Sequence, residues 1–239
     1  MTDSIPVLWS DGALLVVDKP AGLPTLPDGY NPQAPHLKRL LEPEYGRLWI
    51  VHRLDRSTSG VIVLARTVQA HRALNAQFQE HTVEKIYHAI VTGAPDWEET
   101  AIDLPLRADG DRRHRTVVDA QGGKPAVTHL RVLERFAGYS LVEAVPHTGR
   151  AHQVRAHLLA AGFPLVGDAL YGGAPLWPAR GRPGSAPGVE AGVPLLARPA
   201  LHACSLAFRH PLSGEWRRFE APYPPDLAAA LAALRESRD

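Results

Sequence analysis

Two short apolar runs rich in β-branched side chains, residues 49–51 and 61–65, enclose the polar series His52-Arg53-Leu54-Asp55-Arg56-Ser57-Thr58-Ser59-Gly60. Runs of this length, bounded by polar residues and glycine, favour strands over helices and make the intervening residues a connection at the end of a sheet. A polar loop is thus held by two buried anchors, with the carboxylate of Asp55 set between Arg53 and Arg56. Loops carried by rigid strands are where reactive side chains tend to sit. The plainer reading is that Asp55 caps a turn by accepting backbone N–H groups while the arginines are solvated. On this stretch alone the turn reading is the better one.

The rest of the chain reads as short strands with a few helices. Residues 7–9 and 13–17 form a hairpin across Ser10-Asp11-Gly12, and residues 18–29, punctuated by Pro20, Gly22, Pro24, Pro27 and Gly29, continue as a loop throughout. Residues 36–45 fit a helix with Leu37, Leu40 and Leu41 on one side. Thr67 is placed to cap a helix reaching about Glu80, whose Ala70, Ala73, Leu74 and Phe78 recur at core spacing. Residues 83–91 alternate with period two, so Lys85, Tyr87 and Ala89 share one strand face. Residues 106–124 gather Arg107, Arg112, Arg113, His114, Arg115 and Lys124 amid glycine and aspartate, which reads as an exposed basic hairpin and, without a second clue, as an ordinary solvated loop.

Residues 128–136 and 139–145 suggest an antiparallel pair around Ala137-Gly138, and residues 151–161 a helix ended by Gly162. On that helix Arg155 lies above Ala151 and beside Leu158 and Leu159, on the apolar face. It either snorkels past the helix edge or, if buried, takes a carboxylate, for which a planar bidentate pair suits it best. His147, His152 and His157 repeat every five residues and invite a metal reading, but the spacing puts them on different helix faces, which makes that reading weak. Residues 163–173 supply a short apolar strand and a glycine-bounded turn with Asp168 and Tyr171. Residues 174–200 read as an extended, partly mobile Pro/Gly-rich insertion, residues 201–210 and 215–221 as a last hairpin, and residues 225–235 as an Ala/Leu-rich helix.

Composition bounds the function classes. At 239 residues, 45% hydrophobic and 21% charged, the chain belongs with globular proteins and fits one large domain or two small ones. The start of the chain carries no secretory pattern and no apolar stretch reaches membrane-span length, so a cytoplasmic location is expected. A net charge of +1 requires any nucleic-acid footprint to be local. The single cysteine, Cys204, excludes a disulfide framework and a Cys-rich zinc site, and reads as a buried strand residue rather than a nucleophile.

With the segments laid out, the chain resembles the RluA-like pseudouridine synthases, which isomerise selected uridines in ribosomal or transfer RNA. Four stretches carry the resemblance in order: Asp18-Lys19-Pro20-Ala21-Gly22-Leu23; the His52 to Gly60 series; Lys85-Ile86-Tyr87; and Thr148-Gly149-Arg150-Ala151-His152-Gln153-Val154-Arg155, continuing to Gly167-Asp168-Ala169-Leu170-Tyr171-Gly172. Several ordered motifs are far more specific than any one of them. The resemblance implies an α+β pseudouridine synthase fold: a mixed, largely antiparallel sheet in two lobes flanked by helices, with a central RNA-binding cleft. It implies one catalytic domain over residues 1–239, with 174–200 as an insertion loop within it. The first motif starts near residue 7, so a form without the N-terminal RNA-binding module of many relatives is expected.

The resemblance makes Asp55 the catalytic carboxylate, Tyr87 the residue packed on the target base and a candidate proton acceptor, and Arg155 the electrostatic partner of Asp55. Arg53, Arg56, Lys85, Arg107, Arg112, Arg113, Arg115 and Arg150 become candidate RNA contacts. The isomerisation cleaves the bond from ribose C1′ to uracil N1 and rejoins C1′ through C5 without redox change, so neither cofactor nor metal is expected. The expected partner is RNA, with no membrane, no obligate protein partner and a monomeric chain. Ser57 stands where the family commonly has an acidic or amide residue and Leu26 where histidine is frequent, departures that bear on target choice. Two rival readings are a non-catalytic RNA-binding or folding factor and a nucleoside-processing hydrolase that releases uracil.

Overall fold

The computed structural model describes residues 5–27, 31, 33–178 and 192–237. In chain order the elements are β1 (Val7–Ser10), β2 (Leu14–Lys19), α1 (Leu37–Tyr45), β3 (Trp49–Ile50), β4 (Ser59–Ala65), α2 (Val68–Gln79), β5 (Glu84–Thr92), β6 (Glu99–Asp103), β7 (Leu106–Arg107) and β8 (Val117–Val118). They continue with β9 (Val127–Phe136), β10 (Tyr139–Pro146), α3 (Gln153–Ala160), β11 (Leu201–Arg209), β12 (Trp216–Glu220) and α4 (Pro225–Glu236). The fold is mixed α+β with mostly antiparallel strands, as expected. The chain divides into two compact units, Met1–Tyr87 with His202–Pro222, and His88–Leu201 with Tyr223–Asp239. No helix among the described residues is long and apolar enough to cross a membrane.

In the first unit the strand order is β1-β2-β4-β11, with β3 on β4 and β12 on β11. β2 and β4 run antiparallel from Leu14↔Ala65 to Lys19↔Gly60. Period two sends Leu14, Val16, Val61 and Val63 to one side, where they pack with Ala70 and Leu74 of α2. Leu15, Val17, Ile62 and Leu64 go to the other, with Leu37 and Leu41 of α1. Helices on both faces are why every residue of β4 is buried. Thr67 caps α2 as its sequence suggests, its hydroxyl accepting from Ala70 N at 3.1 Å.

The strand at residues 13–17 does not stop before Asp18: pairing with β4 continues through Lys19, whose side chain is fully buried. Its ammonium donates to the carbonyls of Pro20 (2.9 Å), Leu23 (2.8 Å) and Arg56 (3.4 Å), and these acceptors make burial of the charge tolerable. On α1, Leu37 and Leu41 are buried one turn apart but Leu40 turns out to solvent, because the i, i+4 pair already fills the contact face.

The second unit orders its strands β5 (from His88 on)-β10-β9-β6, with β7 and β8 as a separate ribbon. β9 and β10 turn around Ala137-Gly138 with Tyr139 opposite Phe136, and Gly138 takes the left-handed φ of 77° that the tight turn needs. α4 covers this part of the sheet, burying Leu227, Ala230, Leu231 and Leu234 against Ile90, Phe136 and Leu141. β6 is not among the strands the sequence predicts, since Glu99-Thr100-Ala101-Ile102-Asp103 is an edge strand with little apolar signal. It also started the 151–161 helix too early: His152 holds a left-handed φ of 51°, so α3 begins at Gln153. Instead of a strand at residues 163–166 there is one isolated bridge, Val91↔Leu165. Much of the 174–200 insertion, residues 179–191, lies outside the described residues. Its flanks do not loop out: Leu176 and Leu196 bridge to each other and are buried in the α4 core.

Candidate active site

The Asp55 loop is fastened residue by residue. Leu54 is buried, and Thr25 grips its backbone from both sides, the hydroxyl accepting from Leu54 N (3.2 Å) and donating to Leu54 O (2.9 Å). Arg56 O accepts from Gly22 N (2.7 Å) and from the buried Lys19 ammonium, while Arg56 Nε donates back to Gly22 O (3.0 Å). Thr58 N donates to Asp55 O at 3.1 Å. The first family motif therefore acts as a cradle for the second, and the half-buried Asp55 side chain and the exposed Arg53 are carried on a fixed backbone.

Both ends of the loop are anchored by histidines. His52 stacks on Phe78 of α2, centroids 4.6 Å apart, and its Nε2 accepts from Val63 N at 3.1 Å. That bond requires a bare Nε2, and burial, aided by the charge of Lys85, holds the imidazole pKa down to about 3. At the other end Ser59 Oγ lies 3.0 Å from His202 Nδ1 and Ala221 O lies 3.2 Å from Nε2. A carbonyl only accepts, so Nε2 carries the proton and Nδ1 receives the Ser59 hydroxyl. Gly60, at φ 116°, lets β4 run parallel beside β11; a Cβ there would lie 2.1 Å from Ala203 O.

A pH dependence follows from His52. The unfolded chain gains its proton near pH 6.5 and the folded chain only near 3. The neutral ring thus contributes stability fully present above pH 6.5 and lost progressively as pH falls toward 3, at up to about 1.4 kcal/mol per pH unit. Denaturant midpoints measured from pH 7 to 5 should fall with a smaller slope in His52→Gln than in wild type, and an unchanged slope would remove His52 from the linkage.

Tyr87, on β5, packs with the cluster around Leu54 and Ala203. Burial raises its phenol pKa and the negative charge of Asp55 pushes the same way, so the two side chains are within electrostatic reach. Lys85 shares the strand face as expected and is partly buried, which lowers its pKa to about 8. Cys204 is less enclosed than its sequence suggested: it is partly exposed, and its thiol donates to Ile86 O at 3.3 Å.

In the second unit Arg155 is buried on α3, the second of the two alternatives its place on the apolar face left open. It forms a bidentate pair with Asp168, Nε to Oδ2 at 2.7 Å and Nη2 to Oδ1 at 2.9 Å. The helix pattern asks for a carboxylate of this geometry but does not single out Asp168; its signal in the sequence is an acidic residue directly after the apolar run 163–166, in a glycine-bounded turn. The three histidines diverge. His147 is exposed, His152 meets the Tyr171 hydroxyl, and His157 bonds Thr128 Oγ1 and Leu104 O; no metal-binding group of three His, Cys, Asp or Glu occurs among the described residues.

The basic hairpin is partly occupied with itself. Arg107 pairs with Asp119 (2.5 Å) and Arg115 with Asp111 (2.6 Å), Arg113 donates to Ala169 O (2.9 Å), and Arg150 donates to Pro125 O (3.1 Å). Arg112 stays outside these pairs and is exposed.

A model of the RNA pseudouridylate synthase family matches residues 13–160, spanning the pinned Asp55 loop, Tyr87 and Arg155. The chain belongs to the RNA pseudouridylate synthase family. Among pseudouridylate synthases, it is 41% identical over 237 residues to ribosomal large subunit pseudouridine synthase D of Neisseria meningitidis serogroup A, covering 97% of this chain and 62% of that one. It is 40% identical to the protein of the same name from Nitrosomonas europaea, over 98% and 67% of the two chains. The chain thus spans somewhat under two thirds of the first of these relatives. Among solved pseudouridylate synthase structures, human RNA pseudouridylate synthase domain containing 4 superposes with a TM-score of 0.73 at 28% identity, over 96% of this chain and 93% of that one. Asp168 and Tyr171 fall beyond the end of the family match.

Proposed function

We propose that this protein isomerises uridine in ribosomal RNA to pseudouridine, with Asp55 as the catalytic carboxylate. The observation that carries the reading is a carboxylate on a loop held by Thr25 and by Lys19, within electrostatic reach of a partly buried tyrosine, in a chain about two-fifths identical to enzymes named for this reaction. The reaction breaks C1′–N1 and makes C1′–C5; C5 gives up its proton and N1 gains one, with no electrons exchanged. An ionised carboxylate can serve as nucleophile or base in that sequence. The uridine must leave its stack to be reached, and a ring such as Tyr87 contributes about 1–3 kcal/mol of stacking to a flipped base. The raised phenol pKa keeps Tyr87 protonated at neutral pH, which favours packing over proton acceptance. The resemblance assigns Arg155 to Asp55, and the Asp168 pair fixes the plane of that guanidinium.

The test is to incubate the protein with transcribed large-subunit ribosomal RNA, digest it, and separate the nucleosides. The product should have uridine's mass and a different retention. Released uracil would favour the hydrolase, and an unaltered nucleoside profile the non-catalytic binder. For the hairpin, Arg112→Ala is expected to lower the salt slope of RNA affinity by about one, while Arg107→Ala, its guanidinium already paired, changes it less. Equal slopes in wild type and Arg112→Ala would return the hairpin to a solvated loop.

A further inference from the structure

The turn at residues 167–173 serves two neighbours at once. Its Asp168 holds Arg155 side-on, and its Tyr171, fully buried, lies with its ring 4.8 Å from the Arg155 guanidinium carbon and 5.9 Å from that of Arg115. The phenol oxygen is used to capacity. It accepts from Thr116 N (2.9 Å) and donates to Thr116 O (3.2 Å), so His152 Nδ1, 3.1 Å away, must bring a proton to the remaining lone pair. Thr116 belongs to the basic hairpin, and His152 sits at the head of the helix that carries Arg155. A second tether joins the same parts, from Arg113 Nη2 to Ala169 O. The hairpin tip is stiff, because Asp111 accepts from Arg113 N (2.9 Å), Arg115 N (3.1 Å) and Arg115 Nε (2.6 Å).

We propose that Tyr171 is a positioning residue that makes the placement of the basic hairpin and the orientation of Arg155 one cooperative arrangement. RNA phosphate held by the hairpin then bears on the arginine assigned to Asp55. This rests on the reading of the protein as an RNA pseudouridine synthase. The hairpin cannot shift without either leaving the phenol oxygen or dragging its ring across the Arg155 guanidinium, and in a close-packed interior such a group has discrete rather than graded positions. Coupling of this kind is reciprocal: a disturbance at either end is felt at the other.

Two substitutions in the full chain test it. Tyr171→Phe keeps the ring and removes the oxygen; hydrogen exchange followed by NMR should quicken about tenfold both at the Thr116 amide and at Arg155 Nε–H. From the other end, Asp168→Asn, or Arg155→Lys if Asp168→Asn does not fold, should quicken the Thr116 amide by a similar factor. In turnover, Tyr171→Phe should lower kcat about tenfold with KM changed less than about threefold, whereas a purely structural role would lower the melting temperature and leave kcat alone. Exchange changes confined to the mutated end, or a wild-type kcat in Tyr171→Phe, overturn the proposal. If the wild-type protein forms no pseudouridine, the functional reading falls by itself and the paired exchange measurements alone decide the coupling.

Discussion

Asp55→Asn is expected to lower the rate of pseudouridine formation by at least about 10³-fold while leaving the protein folded. The loop is held by the backbone of Leu54, Arg56 and Thr58, by Thr25 and by Lys19, and the Asp55 carbonyl keeps its bond from Thr58 N whatever the side chain. Asparagine fits the same volume and removes the charge and the nucleophilic oxygen pair, so the substitution isolates chemistry from structure. Single-turnover conversion of a ribosomal RNA fragment, measured beside the melting curve, separates the two. A variant that keeps a tenth of wild-type rate would take the catalytic role from Asp55, and one that melts far below wild type would transfer the loss to folding.

Asp168→Ala has the largest expected effect on stability. It removes the bidentate acceptor of the Arg155 guanidinium in an interior where the two partners are 7% and 1% exposed, and breaking a buried pair from one side costs about 3–5 kcal/mol. For a chain of this size that corresponds to a melting temperature lower by roughly 10 °C. Asp168→Asn keeps the shape and one acceptor and should lose less. Replacing both partners by apolar residues, Arg155→Met with Asp168→Leu, should recover much of the loss, because neither charge of the pair is then left facing an apolar side chain. A melting temperature for Asp168→Ala within about 2 °C of wild type would show that water reaches the arginine.

How far the sequence could be read depended on the range of the interactions. The β4 loop, the capped α2, the β9–β10 hairpin and the face shared by Lys85 and Tyr87 follow from periodicity and turn chemistry within a dozen residues, and the structure has them. Asp55, Tyr87 and Arg155 emerged because ordered motifs added to what each stretch implied alone. The misses are long-range. Lys19 reads as loop unless the carbonyls of Leu23 and Arg56 are known to surround it. β6 has almost no apolar pattern and exists because β9 offers it a ladder. Tyr171 meets Thr116 across 55 positions, a distance over which no local rule operates. The basic hairpin looked like a row of available cations, yet three of its arginines are engaged by aspartates or a carbonyl of the same unit.

The bond between Ser59 and His202 spans 143 positions of the chain. During synthesis the strand that carries His202 therefore reaches its place long after the Asp55 loop has left the ribosome. At about 5–20 residues per second the interval is roughly 7–30 s. For that time the loop has Thr25, Lys19 and His52 to shape it but not its final clasp. A nascent chain halted before β11 would thus carry every residue of the Asp55 loop without the bond that fastens its Ser59 end.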